Sequence, residues 1–352
     1  MADFQFPKNL IVSPSPHIAG AESVPRVMWT VVLALMPALI MAFANFGWYA
    51  MLVVGVSVAA AIVVEFTIQR ARGMDVTISD GSAVVTGILL AMTLPPNVPL
   101  YIPLVGAAFA IGIAKHAFGG LGCNIWNPAL AGRAFLLAAY SGQIVMSKWP
   151  VIQERFLGHI AADVITKATP CAVLKAKPFE FFEFYTLREL ATGFIPGSIG
   201  ETSAIALIIG GLFLIIRKVV NWRMPLSYIL TVMIFVVLMP MKDGQGGTVA
   251  VWQPAYWQDP VFVLKFALAH ALSGGLMIGA FFMATDMVTS PLTSKGQAIF
   301  GIGCGVLVGV IRLWGGYPEG VCYSILIMNT FVWLLDRVTK PKFFGETVKE
   351  KV

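Results

Sequence analysis

The chain has 352 residues, of which 58% are hydrophobic and only 12% are charged, and its formal net charge is +6. A water-soluble protein of this length has no core large enough to bury so much apolar surface, so the composition excludes the soluble classes and predicts a polytopic membrane protein. The Lys and Arg residues lie at the ends of apolar runs rather than in one patch with aromatic residues. This placement argues against a nucleic-acid partner and indicates signals of membrane topology.

The first 25 residues are polar and rich in proline. They contain no apolar stretch typical of a cleaved signal peptide, so we predict a cytoplasmic N-terminal segment over residues 1–25. Ten transmembrane spans are predicted after it, and several are shorter than the ~20 residues of a straight span, so we expect broken or tilted helices in the lipid bilayer. The predicted spans cover residues 26–46, 48–66, 81–97, 99–116, 125–146, 203–217, 225–241, 260–287, 297–314 and 320–336.

Two of these segments are interrupted by Gly, Thr and Pro at matching depth. One interruption pattern covers residues 81–96 and the other covers residues 274–291. Interrupted backbone inside a bilayer survives only where it is buried in protein or lines a cavity. Paired interruptions in corresponding halves of a chain therefore predict a central binding site.

The two interruptions belong to a longer internal repeat. Residues 112–120 and 309–316 each end an apolar span with a basic residue followed by two glycines. Five spans in each half is an odd number, so the halves, residues 26–146 and 201–336, are predicted to lie in opposite orientations around a midplane site. The alternative is that glycine-rich apolar segments resemble one another by composition alone.

Basic residues predict the orientation in the membrane. If both termini are cytoplasmic, most Lys and Arg residues near span ends fall on the cytoplasmic side, and Lys242 and Arg312 are the exceptions. We therefore predict a cytoplasmic tail over residues 337–352 and an extracytoplasmic loop over residues 147–200. The basic residues on the predicted cytoplasmic side are Arg70, Arg72, Lys115, Arg217, Lys218, Arg223, Lys295, Arg337, Lys340 and Lys342.

Asp286 follows the second interruption. A carboxylate inside a membrane is costly unless it faces water, a base or an ion, so Asp286 is the candidate for ion coupling. The alternative is a helix-end carboxylate that pairs with Lys295 or caps backbone amides. No segment shows a full set of oxygen ligands, so the sequence does not distinguish Na⁺ from H⁺. The four cysteines have no metal-ligand spacing, so we predict packing roles and no metal site.

Other polar residues lie within or beside the predicted spans. For Glu65, Arg133, Lys265 and His270 we expect interhelical pairs or side chains that reach the interface, in preference to transport. Residues 201–203, Glu-Thr-Ser, are predicted to cap the sixth span.

The outer loop contains the run Asp163-Val164-Ile165-Thr166-Lys167-Ala168-Thr169-Pro170. Taken alone, Thr followed by Pro is typical of a helix N-cap or a turn.

The same run resembles the flavinylation motif Asp-x-x-(Ser/Thr)-Gly-Ala-Thr of membrane redox pumps, in which the last Thr carries FMN through a phosphoester bond. The resemblance implies that Thr169 is the attachment residue and that Asp163, Thr166 and Ala168 occupy the other motif positions. Lys167 stands where the motif has Gly. A cation at this position can either alter the turn or pair with the phosphate of the flavin.

Several other stretches resemble the family that comprises the D subunit of the Rnf ion-translocating ferredoxin:NAD oxidoreductase and the B subunit of the sodium-pumping NADH:quinone reductase. The resemblance extends from about residue 10 to residue 345, and residues 13–17 with the short N-terminus favour the Rnf member. The stretches are residues 119–124, 127–129, 200–203, 282–286 and 317–321.

The resemblance implies a component of a redox-driven ion translocase that is not active alone. It would pass electrons through covalent FMN, with a second, non-covalent riboflavin allowed, between ferredoxin and NAD, coupled to Na⁺ or H⁺ transport. The implied fold is all-α, with two inverted five-helix repeats similar to those of urea and ammonium channels. Implied partners are the A, B, C, E and flavin-bearing G subunits of Rnf, a flavin transferase for maturation, and the lipid bilayer of the prokaryotic cytoplasmic (inner) membrane.

Asn124 and Asn127 lie beside a glycine-rich turn and are candidates to bind a second flavin. The alternative is an ordinary Asn-Pro turn at the entrance of a span. Two other functions stay open. One is a small-solute channel or carrier of the urea/ammonium type without flavin, and the other is a structural membrane anchor for redox partners.

Overall fold

The computed structural model describes residues 23–144, 168–201, 203–242, 248–250, 260–317 and 319–340. Most of these residues are helical, as the sequence predicts. A short antiparallel pair of strands, β1 (Pro240–Lys242) and β2 (Thr248–Ala250), departs from the all-α expectation.

The first half of the chain begins with two long helices. Gly47, with φ 73°, ends the first helix and begins the second, because this left-handed backbone favours glycine. The helices are α1 (Val24–Phe46), α2 (Trp48–Ala71), α3 (Ser82–Met92) after a 3₁₀ turn (Ile78–Asp80), α4 (Tyr101–Phe109) continued by a π turn (Ala110–Lys115), α5 (Pro128–Ala139) and α6 (Ser141–Ile144).

Short helices form the described part of the loop that is predicted to be extracytoplasmic. They are α7 (Pro170–Ala176), α8 (Phe181–Phe184) and α9 (Leu187–Thr192), followed by a 3₁₀ turn (Ile199–Glu201).

The second half repeats the use of broken helices. It contains α10 (Ala204–Ile216), α11 (Arg223–Leu238), α12 (Pro260–Leu272), α13 (Leu276–Ile278) continued by a π turn (Gly279–Met283), α14 (Ser294–Trp314), α15 (Val321–Thr330) and α16 (Val332–Val338).

Three helices, α1, α2 and α14, are long and apolar enough to cross a membrane. Two further pairs pass the same criterion as bent units: α12 with α13 and its π turn, bent by 66°, and α15 with α16, bent by 54°. Five shorter apolar helices of 10–17 residues are also present in the described residues. A multi-pass membrane protein is therefore supported, and the number of ten spans and the likeness to urea channels stay predictions.

The outer faces of the long helices are apolar. Only 22% and 28% of the most apolar stretches of α1 and α2 are buried inside the protein, and large side chains such as Leu33 and Ile40 point outward. A helix that is apolar on all sides fits a surrounding of lipid.

The two halves pack in matching ways. In the first half, α2 packs against α3 and α4, and in the second half α11 packs against α12 and α14. Likewise α4 packs on α5 and α14 packs on α15. The halves meet through α1 with α10 and through α5 with α15. This pattern is consistent with the predicted repeat, whose boundaries stay a prediction.

Arginine side chains bind the backbone exposed by both interruptions. After α3, the carbonyl of Thr93 accepts a hydrogen bond from Arg133. Between α12 and α13, Arg312 donates to the carbonyls of Ser273 and Gly274 at 2.9 and 3.0 Å. Interrupted backbone in a membrane protein needs such partners because lipid supplies none.

Candidate functional site

Thr169 begins helix α7 as its N-cap residue. Its backbone is extended (φ −62°, ψ 151°), Pro170 occupies the first helical position, and the Thr169 hydroxyl accepts a 3.4 Å hydrogen bond from the backbone N–H of Ala172. The structure thus confirms the interpretation of Thr-Pro as a helix cap. Thr169 is only 8% exposed to solvent.

A cavity of about 260 Å³, here called the outer cavity, opens beside Thr169. Two tyrosine rings, Tyr317 and Tyr323, line it with their centroids 5.6 Å apart, and the remaining wall is largely apolar. A concave, mostly apolar pocket with a few convergent polar groups is the usual form of a cofactor site. The lining residues are Thr93, Leu130, Arg133, Leu137, Ile144, Ala168, Thr169, Ala172, Ser198, Gly275, Ile278, Met283, Tyr317, Glu319, Val321, Cys322 and Tyr323.

Arg133 supplies the positive charge of the outer cavity. One guanidinium nitrogen donates to Glu319 Oε2 at 2.6 Å, and another donates to the carbonyl of Thr93. The side chains are 12% and 19% exposed, so this ion pair is largely desolvated. Arg133 therefore joins α5 to the end of α3 and to the segment that leads into α15, and it confirms the predicted interhelical pair.

Glu201, at the end of its 3₁₀ turn, is 6% exposed, and its Oε1 receives no hydrogen bond from any donor within the described residues. Burial, and then the neighbouring Glu319 carboxyl, raise the pKa of Glu201 well above its usual range. The predicted capping of α10 by residues 201–203 is confirmed at Ser203, whose hydroxyl accepts from the N–H of Ala206 at 3.2 Å.

Side-chain contacts fix α7 against the loop that precedes α15. Tyr185 donates its hydroxyl proton to the carbonyl of Ala168, and the Lys175 ammonium donates to the carbonyls of Gly315 and Tyr317. Burial raises the pKa of the Cys171 thiol to about 12, so this side chain is an uncharged thiol that packs in the interior. Ala168 and Thr169 are thereby held at the rim of the outer cavity.

A second, smaller cavity of about 80 Å³, here called the inner cavity, lies across the start of α5. Asn127 and Ala129 line the inner cavity, whereas Leu130 lines the outer one. In the same way, Phe282 lines the inner cavity and Met283 the outer. The inner cavity is lined by Val27, Met28, Val31, Ser82, Val85, Thr86, Leu89, Lys115, Leu121, Asn124, Asn127, Pro128, Ala129, Leu214, Val219, Val220, Phe282, Thr285, Asp286, Met287 and Val288.

Asn127 and Asn124 both reach the inner cavity but have different partners. Asn127 caps α5, accepting from the N–H of Ala129 at 3.0 Å, and its amide donates to the carbonyl of Met283 at 3.1 Å. The Asn-Pro turn is therefore present, and it also holds the π turn of the second half. Asn124 donates to the carbonyl of Trp126 at 3.2 Å, while its buried Oδ1 has no partner in the described part of the chain.

Asp286 makes local contacts at the inner cavity. Its carboxylate accepts from the Thr289 hydroxyl at 3.0 Å and from the N–H of Val288 at 3.5 Å. Among the described residues it forms no ion pair with Lys295, so the capping alternative fits better than the pair. The candidate role of Asp286 in ion coupling stays a prediction.

Glu65 confirms a further predicted pair. The ammonium of Lys115 lies 2.7 and 2.8 Å from the two carboxylate oxygens of Glu65 and 2.7 Å from Ser82 Oγ, all within the buried interior. His270 departs from the expectation, because neither ring nitrogen has a hydrogen-bond partner in the residues the structure describes. Lys265 is exposed on α12.

Three predicted motif residues, Asp163, Thr166 and Lys167, lie outside the described residues. Conversely, sequence reasoning gave no site role to Glu319 or Tyr317, although both belong to the stretch 317–321 that carries the family resemblance. That resemblance was the available sequence signal for these two residues. The pairing of Arg133 with Glu319 could not be found locally, because the two residues are 186 positions apart.

Comparison with known proteins agrees with the sequence interpretation. A family model described as the NQR2, RnfD, RnfE family matches residues 11–345.

Individual relatives match over nearly their whole length. The chain is 45% identical to the D subunit of the proton-translocating ferredoxin:NAD(+) oxidoreductase complex of Clostridium ljungdahlii, covering 98% of this chain and 99% of that protein. It is 44% identical to the D subunit of the Na(+)-translocating ferredoxin:NAD(+) oxidoreductase complex of Acetobacterium woodii, covering 97% and 98%. It is 36% identical to the D subunit of the ion-translocating oxidoreductase complex of Stutzerimonas stutzeri, covering 94% of each.

Proposed function

The chain belongs to the NQR2, RnfD, RnfE family, and from this membership we propose that it is the D subunit of an ion-translocating ferredoxin:NAD oxidoreductase complex that carries electrons through FMN attached to Thr169. The observation that carries the proposal is the position of Thr169, the last residue of the motif-like run, on the wall of the outer cavity.

The residues of the outer cavity fit a flavin. The Thr169 hydroxyl would supply the oxygen of the phosphoester. The apolar side chains and two tyrosines suit a flat aromatic ring, and Arg133 would offer N–H donors to its polar edge. When bound, the flavin supplies the electron-transfer chemistry. The chain itself would position the ring, Leu130, Met283 and their neighbours would exclude water from it, and Arg133 would provide fixed charge.

The phosphoester replaces a binding equilibrium by a permanent tether. A hydroxyl at the N-terminus of a helix is a suitable anchor, because backbone N–H groups there favour a phosphate. Helix α7 has only 7 residues, so this contribution is small, and the link itself must hold the cofactor.

The inner cavity is the proposed place for the second flavin, a riboflavin without a covalent bond. The Oδ1 of Asn124, unpartnered among the described residues, supports this, as does the position of the inner cavity directly behind the outer one at Ala129 and Leu130. Apolar side chains separate the two cavities at this point, which suits two electron carriers in series better than a continuous solute pore.

Coupling of electron transfer to ion transport is part of the proposal, because the relatives are named as subunits of ion-translocating complexes. One relative is named as proton-translocating and another as Na⁺-translocating, and this chain is almost equally identical to both. Sequence identity therefore does not indicate which ion is transported. Asp286 is the proposed coupling carboxylate because it lies on the inner cavity with Lys115. The A, B, C, E and G subunits are the proposed partners, and G is the proposed electron partner at the outer face.

In-gel flavin fluorescence tests the attachment. Wild-type chain made together with the flavin transferase should give a fluorescent band after denaturation, and Thr169→Ala should give none. The matched control is Thr186→Ala. Thr186 is also the N-cap residue of a loop helix and is exposed, so this substitution removes a similar helix cap but leaves the outer cavity unchanged. A colourless wild-type band, or a fluorescent Thr169→Ala band, would contradict the proposal.

A further inference from the structure

Two carboxyl groups lie against the glycine turn that joins α12 to α13. A Cβ built on Gly275 would lie 3.8 Å from Glu201 Oε1, and one built on Gly274 would lie 3.5 Å from Glu319 Cγ. Both glycines have positive φ, 55° for Gly274 and 20° for Gly275, a backbone that other residues rarely adopt. The turn thus brings backbone directly against both acids, of which Glu319 lines the outer cavity.

Among the described residues, Arg133 forms an ion pair with one of these two carboxyls, that of Glu319. It uses one guanidinium nitrogen on Glu319 and another on the carbonyl of Thr93. Arg312 also lies beside the turn. A Cβ built on Gly274 would be 3.3 Å from one of its guanidinium nitrogens, and Arg312 donates to the carbonyls of Ser273 and Gly274.

Two further groups beside Glu201, Ser198 and Cys171, carry no charge. Ser198 is polar and neutral, and the Cys171 thiol on α7 stays protonated because burial raises its pKa to about 12. The Glu201 Oε1 atom receives no hydrogen bond in the described residues although it is buried. An unsatisfied, ionised carboxylate at such a place is costly, whereas a carboxyl that shares a proton with its neighbour is not.

We propose that Glu201 and Glu319 form a proton-binding site that holds one proton between them and takes up a second when negative charge enters the outer cavity. With one shared proton, the pair and Arg133 have a net charge of zero. When one electron enters the cavity, uptake of one proton from water restores this zero net charge. Uptake of the second proton rests on the proposed function, which supplies the electron. Binding of the first proton does not depend on that function.

Infrared spectroscopy of the Thr169→Ala chain in lipid nanodiscs tests the first proton without any flavin. A protonated carboxyl has a C=O band that shifts in D₂O, and this band should persist at pH ~7, above the usual pKa of Glu at about 4.3. It should disappear in Thr169→Ala with Glu201→Gln. It should remain with Glu189→Gln, a control on the half-exposed capping glutamate of α9.

The outcomes are distinct. Absence of the band at pH ~7, its persistence after Glu201→Gln, or its removal by added Na⁺ would each overturn the proton site, the last by showing a bound cation. A colourless wild-type chain in the fluorescence experiment would remove the flavin but leave this band unchanged.

Redox titration of the flavin-loaded wild-type chain tests the second proton. Uptake of one proton per electron predicts that each tenfold fall in proton concentration lowers the midpoint potential by about 59 mV. In Glu201→Gln this slope should be lost, while in Glu189→Gln it should stay. An equal slope in wild type and Glu201→Gln would show that the pair is not the acceptor.

Discussion

At the scale of single residues, Arg133 connects segments that are far apart in the chain. Its guanidinium is largely desolvated and is divided between a carboxylate and an interrupted backbone carbonyl. Removing one partner of such a pair leaves the other buried without compensation, which costs more than the pair contributes.

We therefore expect Arg133→Met to lower the free energy of unfolding by about 3 kcal/mol, measured by denaturant titration of tryptophan fluorescence in detergent. The double variant Arg133→Met with Glu319→Gln should recover part of this loss, because the uncompensated carboxylate is gone. Lys177→Met is the control, since the Lys177–Glu180 pair is more than half exposed at the lysine and should show no measurable change. Equal losses in Arg133→Met and Lys177→Met would contradict the argument.

The cysteines differ in reactivity for a physical reason. Cys123 is exposed, whereas Cys171 is buried and burial raises its pKa to about 12. A raised thiol pKa keeps the unreactive protonated form at every pH below it, so at pH ~8 Cys171 has almost no thiolate.

Maleimide treatment of the native chain at pH ~8 should therefore modify Cys123 and spare Cys171, as read by mass spectrometry of peptides. After denaturation both should react. Native labelling of Cys171 in a Cys123→Ser chain would show that the α7 packing described above does not persist in solution.

At the scale of elements, helix α10 approaches α1 closely at Gly210. A Cβ on Gly210 would collide with the backbone carbonyl of Ala34, and backbone cannot move aside as a side chain can. By contrast, a Cβ on Gly55 of α2 would meet nothing within 4 Å.

Gly210→Ala should therefore lower the stability by about 1–3 kcal/mol through overpacking between the halves. Gly55→Ala should be neutral or stabilising by up to ~1 kcal/mol, because alanine is the better helix former. Unfolding of the two variants in the same detergent compares them directly. A neutral Gly210→Ala would mean that α1 and α10 are not in close contact.

Sequence reasoning predicted those elements whose signal is local. The continuous apolar runs predicted α1, α2 and α14 closely, and the glycine pair at 274 marks the observed break between α12 and α13. The span predicted over residues 125–146 instead ends at Ala139 and continues as the separate helix α6.

The candidate site was predictable only in part. Thr169 and Asn127 stand in local motifs, so the sequence pointed to both. The pairing of Arg133 with Glu319 and the approach of Glu201 depend on helices meeting in space, and no periodicity along the chain contains that information. The π turns could not be predicted either, because their sequences do not differ from those of ordinary apolar α-helices.

At the scale of the whole molecule, the predicted orientation places Thr169 and the short loop helices outside and the glycine-rich turn with Cys123 inside. Both Cys123 and the exposed Glu180 on the opposite predicted side are accessible to a reagent in water. The two positions therefore report on opposite faces of the membrane.

A membrane-impermeant maleimide is added to intact cells, whose outer membrane is opened where there is one. It should label the cysteine of Glu180→Cys in a Cys123→Ser background. It should not label Cys123 in the wild-type chain. Both should be labelled after the cytoplasmic membrane is permeabilised. Labelling of Cys123 in intact cells would invert the orientation and place Thr169 on the side of the cytoplasm.

The concealment of the Thr169 hydroxyl has a consequence for biogenesis. An enzyme that attaches FMN must reach the hydroxyl of a residue that is only 8% exposed, and this hydroxyl already caps α7. We expect the transferase to act on a newly inserted chain, before the loop helices dock. FMN would then be attached first, and the loop helices would pack around it afterwards, so that correct packing of the loop would depend on prior attachment.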